Sequence, residues 1–388
     1  MEFRFTEAQK RLRKEVSEFC EEPRTQEIIK ELEAEGELYN AHSWELYKKM
    51  AQRGWLGMQW PKEYGGQDLS FEETTIFNET TAYYRIPMMG YALTSIIGNA
   101  LIHFGSEEHK QEYVSRMAAG EILFCILYSE ANAGSDLASI QTRAVEDEGD
   151  YVINGTKIFT SLGHISHYGF LAARTDPDVP KHKGISLFIV PMDSPGISIN
   201  PMLTMGEGRV NEIAFEDVRI PQQNMVGEKN KGWRLLNKAL AVERSGVGFV
   251  AGARRTFEDI LEFVKEKDMG KDPVIRQKLA RLATEIEVAH LLAWRVAFLQ
   301  SKGLIPDSEA SMSKLYGTEL VKRVANIGME ILGLSGLLKR ESKWAPLAGR
   351  IESAYRTSPF VTIAAGTSEI MRLIISFRGL GLMPAYMM

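Results

Sequence analysis

The chain has 388 residues, of which 44% are hydrophobic and 25% charged, and a formal net charge of −5. Its length exceeds that at which single cores usually split, which predicts two or three domains, and the acidic balance argues against nucleic acid, whose binding leaves a basic footprint. Two cysteines, Cys20 and Cys125, cannot build a disulfide framework, and no apolar run reaches the ~20 residues needed to span a bilayer.

The first six residues, Met1 to Thr6, show no basic stretch leading into an apolar run, so no secretory signal is read and a cytoplasmic location is expected. Thr6 and Gln9 then form a capping-box pattern ahead of Leu12, Val16 and Phe19, which share one helix face. Further helices are predicted over 43–54, 71–84 and 90–104, separated by turns such as Trp60 to Gly66. From about 121 to 232 the texture changes. Short apolar or alternating runs (Phe124–Leu127, Tyr151–Ile153, Gly169–Ala173, Ile185–Val190, Glu212–Phe215) sit between turn residues, as in an antiparallel sheet. After Gly232 the helical period returns: Phe257, Ile260, Leu261 and Val264 line one face, and long helices are predicted over 274–302 and 309–332. The expected fold is α+β, with a helical domain over 1–120, a β domain over 121–235 and a helical domain over 236–388.

Two segments carry the chemistry. Ser129 to Arg143 reads Ser-Glu-Ala-Asn-Ala-Gly-Ser-Asp-Leu-Ala-Ser-Ile-Gln-Thr-Arg, whose small and hydroxyl residues leave backbone N–H groups, Ser129 and Ser135 free to approach a flat, phosphorylated ligand. Tyr151 to Phe159 reads as a tight hairpin with Asn154-Gly155 at its tip, Lys157 following closely. A His-x-x-His pair, His164 and His167, lies in a hairpin context without nearby Cys and is not read as a metal ligand set. Met88 and Met89 read as core or as an adaptable pocket wall.

These segments resemble the flavin-binding signature of the acyl-CoA dehydrogenase family. Four further blocks match in order: Trp60 to Gly66, Asn211 to Pro221, Val226-Gly227-Glu228 with Gly232-Trp233, and Ala364 to Arg372. The resemblance implies a helical amino-terminal domain, a central antiparallel β domain and a carboxy-terminal four-helix bundle, with FAD as cofactor. On that mapping Tyr128 and Ser129 lie along the pyrimidine edge of the flavin, and Ser135 meets the pyrophosphate. Phe159 replaces the family's usual Trp beside the ring, and Ser161 approaches flavin N5. Gln277 matches a residue that reaches the adenine end of FAD in a neighbouring subunit, and Thr367 and Glu369 fall near the ribose and adenine.

The family removes hydrogen from Cα and Cβ of an acyl thioester: a carboxylate takes the α-proton and the β-hydrogen passes as hydride to flavin N5. The position that often carries this carboxylate is here Ala365, whose backbone N–H still suits the thioester carbonyl. Isovaleryl-CoA and long-chain acyl-CoA dehydrogenases instead place a Glu before an Arg on the first helix after the β domain. Here that position holds Glu243-Arg244, among the apolar or small Leu240, Ala241, Val242 and Val247. Glu243 is the expected base, in surroundings dry enough to raise its pKa, and Arg244 is expected to approach the CoA. A solvated Glu, or an ion pair with Arg244 or Lys238, is the bland alternative.

Two departures fall at the adenine end. Glu266 stands where the family commonly has Arg, and Glu330 replaces a frequent Gln. Either a nearby cation (Lys265, Lys267 or Arg276 among them) compensates in a homotetramer, or a related chain in a hetero-oligomer supplies the Arg. The expected partners are an acyl-CoA and an electron-transferring flavoprotein, with wording similar to bacterial members acting on bulky or unusual acyl groups. A non-catalytic subunit and a flavin monooxygenase or oxidase are the competing readings.

Overall fold

The computed structural model describes residues 4–35, 40–239 and 245–382, apart from the side chains of 237–239. Helix α1 (Glu7–Glu21) begins at the predicted capping box: Thr6 Oγ1 accepts the Gln9 N–H, and the Gln9 side chain accepts the Thr6 N–H. There follow α2 (Pro23–Glu35), α3 (Trp44–Gln52), α4 (Phe71–Tyr83) and α5 (Met89–Phe104). Then α6 (Glu107–His109) runs through a π turn at Lys110–Val114 into α7 (Ser115–Ala118). The acid-free α5 is buried along Leu93, Ile97 and Leu101. A Cβ on its Gly98 would lie 2.1 Å from the Trp60 ring, so only glycine lets this helix come so close.

The middle of the chain forms one eight-stranded sheet from β1 (Phe124–Leu127), β2 (Arg143–Asp147), β3 (Asp150–Thr160), β4 (Tyr168–Arg174), β5 (Ile185–Pro191), β6 (Ile197–Leu203), β7 (Arg209–Pro221) and β8 (Met225–Val226). The order is β6-β7-β3-β2-β4-β5-β8, with β1 pairing β4. The sheet is mixed rather than purely antiparallel: β1 pairs β4 in parallel, and β2 meets β4 in parallel at Arg143 and Arg174. The cause is topological. The β2–β3 excursion separates β1 from β4 and returns the chain to its starting side. Ile185 to Val190 of β5 are buried throughout, as a strand covered on both faces should be.

The expected Asn154-Gly155 hairpin tip is wrong. Both residues lie inside β3, where the pairing with β7 shifts register between Ile153 and Gly155. Gly155 has φ +145°, and a Cβ there would sit 2.7 Å from Thr142 Cα, so its glycine serves a close backbone approach, opposite a bulge whose extra residue lies in β7. The Asn154 amide and carbonyl bind the Asp217 carboxylate and N–H across that bulge. The actual tip is Glu148-Gly149, whose φ values of +51° and +90° suit a type I′ turn between the paired Asp147 and Asp150. Nor do His164 and His167 sit in a hairpin; they occupy the turns between β3 and β4, which are not neighbours.

The carboxy-terminal part holds α8 (Gly232–Ala239), α9 (Val247–Glu266), α10 (Pro273–Ser301), α11 (Asp307–Leu332), α12 (Arg350–Val361) and α13 (Ser368–Ile374). Helices α9, α10 and α11 pack on one another and α12 lies against α11, which completes the four-helix bundle. Its core includes the fully buried Ile260, Leu282, Leu320 and Ile351, each worth roughly 1.5–3 kcal/mol of apolar burial.

One carboxylate gathers several bundle cations at the sheet, beside the Arg356 hydrogen bond to the Met205 carbonyl. Glu207, in the β6–β7 turn, meets Lys339 at 2.9 Å, Arg356 at 3.0 Å and Arg340. The Lys339 hydrogen bond, outweighing partial burial and helped by the two arginines, draws its carboxyl down to about 2. A depressed carboxyl stabilises the fold fully above its unfolded value of ~4.3 and loses that contribution as pH falls toward its folded value. We therefore expect Glu207→Gln to lose about 1–2 kcal/mol at pH 7, less than the full shift implies because the site is partly wet. Denaturant titrations at pH 7 and pH 2.5 check this: the two proteins should converge at the lower pH.

Candidate functional site: a loop held by a buried ion pair and a carboxy-terminal turn

The loop after β1 is built around a buried ion pair. Parity along β3 turns Lys157 to the same side as Tyr151 and Ile153, and its side chain is fully buried. Its Nζ donates to Glu130 Oε1 at 2.7 Å and to the Tyr128 carbonyl at 3.0 Å. Glu130 also accepts the N–H groups of Gln141 at 2.6 Å and Thr142 at 2.9 Å, so one carboxylate gathers both ends of the loop. Burial alone would raise the Glu130 carboxyl, but the Lys157 charge and the donors outweigh it and hold it below the usual range. Burial pulls Lys157 down to about 8 against the pull of Glu130, which leaves it charged at neutral pH.

Around this pair stand the residues expected to face the flavin. Ser129 accepts the Ile158 N–H through its carbonyl at 2.9 Å, which brings Tyr128 and Ser129 beside the strand carrying Phe159. Ser135 is exposed in the loop apex, where a Cβ on Gly134 would meet nothing within 4 Å. The Phe159 ring is 62% exposed and its backbone is left-handed, φ +58°, at a second register shift of β3. A bulky residue held there is strained, and such strain gathers at functional positions. Ser161 follows, with its hydroxyl 3.5 Å from Asn40 Oδ1. Three buried hydroxyls, those of Tyr128, Thr142 and Thr160, have no hydrogen-bond partner among the described residues. Unmet hydroxyls and an exposed aromatic face beside an open loop fit the chemistry of a flavin, whose ring offers hydrogen-bonding edges and a π face.

Phe159→Gly separates ring from scaffold. The substitution relieves about 1–2 kcal/mol of left-handed strain and loses ~0.5–1 kcal/mol to chain entropy. Stability should therefore change by no more than about 1 kcal/mol, while flavin retained through gel filtration falls severalfold. A large drop in Tm with flavin unchanged would make Phe159 a packing residue instead.

A second group surrounds the turn after α12. Ala365 has φ +55° and Gly366 φ +98°. Ala364 donates to the Phe360 carbonyl and Ser368 to that of Thr362, whereas the exposed Ala365 offers its N–H to no acceptor among the described residues. Thr367 caps α13 by accepting the Ile370 N–H at 3.2 Å. Glu369 is exposed near Arg372, 3.8 Å away, and its backbone and Thr367 hydrogen bonds hold its carboxyl low. Gln277 is exposed at the start of α10, apart from both groups. Beside it Lys278 pairs with Glu330, a compensating cation that differs from the three considered from the sequence. Glu266 is exposed at the end of α9. Glu243 and Arg244 lie outside the described residues.

Sequence reading missed the roles of Glu130, Lys157, Ser313 and Lys314. A signal was available for the lysines: each falls on the inward side of an apolar period, Lys157 at the parity of Tyr151 and Ile153, and Lys314 in the stripe of Ala310 and Gly317. Among the described residues, no group of His, Cys, Asp or Glu is arranged to hold a metal, and no helix is long and apolar enough to cross a membrane.

Comparison with known proteins places this geometry. Profiles of the acyl-CoA dehydrogenase N-terminal, middle and C-terminal domains match residues 6–121, 125–218 and 230–380. The acyl-CoA dehydrogenase FadE26 of Mycobacterium tuberculosis is 35% identical, the match covering 98% of this chain and 99% of the relative. A solved structure described as the Tcur3481-Tcur3483 steroid ACAD superposes with a TM-score of 0.91 at 35% identity, covering 99% of this chain and 100% of that one. The ChsE4-ChsE5 complex from Mycobacterium tuberculosis superposes with a TM-score of 0.89 at 34% identity, over 99% and 100% of the two chains. The fold and loop thus define an FAD-dependent oxidoreductase acting on acyl-CoA. The chain belongs to the acyl-CoA dehydrogenase family.

Proposed function

We propose that the protein desaturates a bulky acyl-CoA between Cα and Cβ, with Glu243 as the base that removes the α-proton. Bound FAD supplies the acceptor for the β-hydrogen and its electron pair. Tyr128, Ser129, Phe159 and Ser161 would hold the ring, and Ser135 the pyrophosphate. The Ala365 N–H would donate to the thioester carbonyl, which makes the α-proton more acidic as the enolate oxygen gains charge. Arg244 would meet the CoA.

One observation carries the assignment of the base. Adjacent residues of α11 hold the two segments concerned: Ser313 Oγ donates to the Ser245 carbonyl at 2.5 Å, and Lys314 Nζ donates to the Gly366 carbonyl at 2.6 Å. Ser245 directly follows Arg244 in sequence, so the first described residue after the proposed base is tied to the same turn of α11 as the turn with Ala365 at the other base position. The steroid ACAD neighbour supports a sterol-like acyl group. An electron-transferring flavoprotein is the proposed acceptor.

For the assembly, we infer that Gln277, Thr367 and Glu369 meet the adenine end of FAD across a subunit interface. The ChsE4-ChsE5 neighbour supports a related chain as partner, while the Lys278–Glu330 pair, which cancels one carboxylate within the chain, supports a second copy. The test is anaerobic titration of the purified chain with acyl-CoAs of linear, branched and steroid type. One flavin per chain, bleached by a bulky thioester, upholds the proposal with self-association. Flavin that no thioester bleaches overturns it, and little flavin until a related chain is added selects the mixed assembly.

A further inference from the structure

Lys314 is an expensive residue to bury, yet it is only 7% exposed on the inward stripe of α11. Both hydrogen bonds of its ammonium go to backbone carbonyls, Val361 at 3.1 Å and Gly366 at 2.6 Å. These two acceptors bracket the turn that contains Ala365. Burial draws Lys314 down to about 8, with Glu319 and Glu369 opposing the fall, so the ammonium persists at neutral pH. Glu319 is itself engaged, accepting the Ser368 hydroxyl at 2.7 Å just beyond the turn. An apolar side chain would fill this stripe at less desolvation cost. What a cation adds is a grip on two carbonyls of a turn whose central residues, Ala365 at φ +55° and Gly366 at φ +98°, are both left-handed. One residue earlier, Ser313 holds the Ser245 carbonyl at 2.5 Å, next to Gly246 with φ +70°.

We propose that Lys314, together with Ser313, is a positioning residue for the reaction: one turn of α11 holds the turn carrying the Ala365 N–H and, through Ser245, a point two residues beyond the proposed base. The inference rests on the proposed dehydrogenation. It adds that base and carbonyl donor are aligned by neighbouring side chains of a third element, neither of which touches substrate. A misplacement of about 1 Å in such an arrangement can cost ~10²-fold in rate.

The experiment compares flavin-loaded native protein with Lys314→Met, Lys314→Arg and Ser313→Ala, using amide hydrogen exchange over 361–368 without ligand. Steady-state kinetics follow with the acyl-CoA that bleaches the native enzyme fastest. For Lys314→Met we expect exchange at the hydrogen-bonded amides of the turn, Ala364 and Ser368, to rise ~10-fold or more while the α9–α10 core keeps its protection. We also expect kcat to fall ~100-fold, with KM within ~3-fold and flavin content unchanged. Arginine, which can reach both carbonyls, should restore part of kcat. Ser313→Ala should lower kcat ~10-fold without altering exchange at Ala364 and Ser368, and it carries the test with Lys314→Arg if the methionine variant does not fold. Native exchange at the turn, or native kcat in Lys314→Met, overturns the proposal. If no acyl-CoA bleaches the native enzyme, the proposed function falls, whereas the exchange result still decides whether Lys314 holds the turn.

Discussion

Glu243→Gln should keep its flavin and lose dehydrogenation: bleaching by the best acyl-CoA is expected to slow by ~10³-fold, within the range for removal of a general base. The substitution keeps size and hydrogen-bonding capacity, so neither Tm nor flavin per chain should move appreciably. The physical case is one of elimination and placement. An α-proton of a thioester does not leave without a base of raised pKa in a dry site. Ala365 cannot be that base, and its exposed left-handed turn offers only an N–H. Ser245, two residues after Glu243 in the sequence, is tied to the same turn of α11 as Gly366. A control sharpens the result. Adding Ala365→Glu to the Glu243→Gln protein returns a carboxylate to the other position and should recover part of the rate. Native-speed bleaching by Glu243→Gln alone would remove Glu243 from the reaction.

The second large effect belongs to the loop. Lys157→Met should cost about 3–5 kcal/mol, because it leaves Glu130 buried without its counter-charge, and flavin should be lost with it. Glu130 cannot simply rotate to water, since the same oxygens hold the N–H groups of Gln141 and Thr142. The double variant Glu130→Gln, Lys157→Met removes both charges. It should recover more than half of the lost stability while binding flavin poorly, because the Gln amide nitrogen cannot accept one of the two remaining N–H groups, of Gln141 and Thr142, as a carboxylate oxygen does. Denaturant titration gives the stabilities and flavin absorbance per chain gives the binding. Additive losses in the double variant would show that the two residues act independently.

Much of the architecture was legible because it rests on local period. The capping box at Thr6, the long helices α10 and α11, and the apolar runs that became β1, β4 and β5 are all written as repeats of 3.6 or 2 residues. β2 and β6 escaped notice because one face of each is wet: Val145 is exposed and Asn200 lies mid-strand, which dilutes the apolar signal. Asn154-Gly155 misled for a different reason. The dipeptide fits a type I′ tip, but glycine also serves a close backbone approach, and only the long-range partner Asp217 distinguishes the two uses. Ser129, Ser135 and Ala365 could be proposed as site residues from the sequence because short motifs carry them. The holding residues could not, because Lys157 and Lys314 act on carbonyls 29 and 52 residues away in the chain. Such contacts are properties of the fold and leave only a charged residue on the wrong side of a periodic stripe.

The grip of Glu130 on both ends of its loop also has a thermodynamic side. Eleven and twelve residues separate the carboxylate from the amides it binds, so the apex from Ala131 to Ser135 belongs to a small closed ring. The entropy of closing that ring is lost when the chain folds, before any cofactor arrives. With the flavin held at this loop as proposed, its association would carry little ordering cost at this end, which favours reversible exchange over irreversible collapse when the cofactor leaves. The apo-protein should thus be a storable species, ready to accept chemically altered flavins.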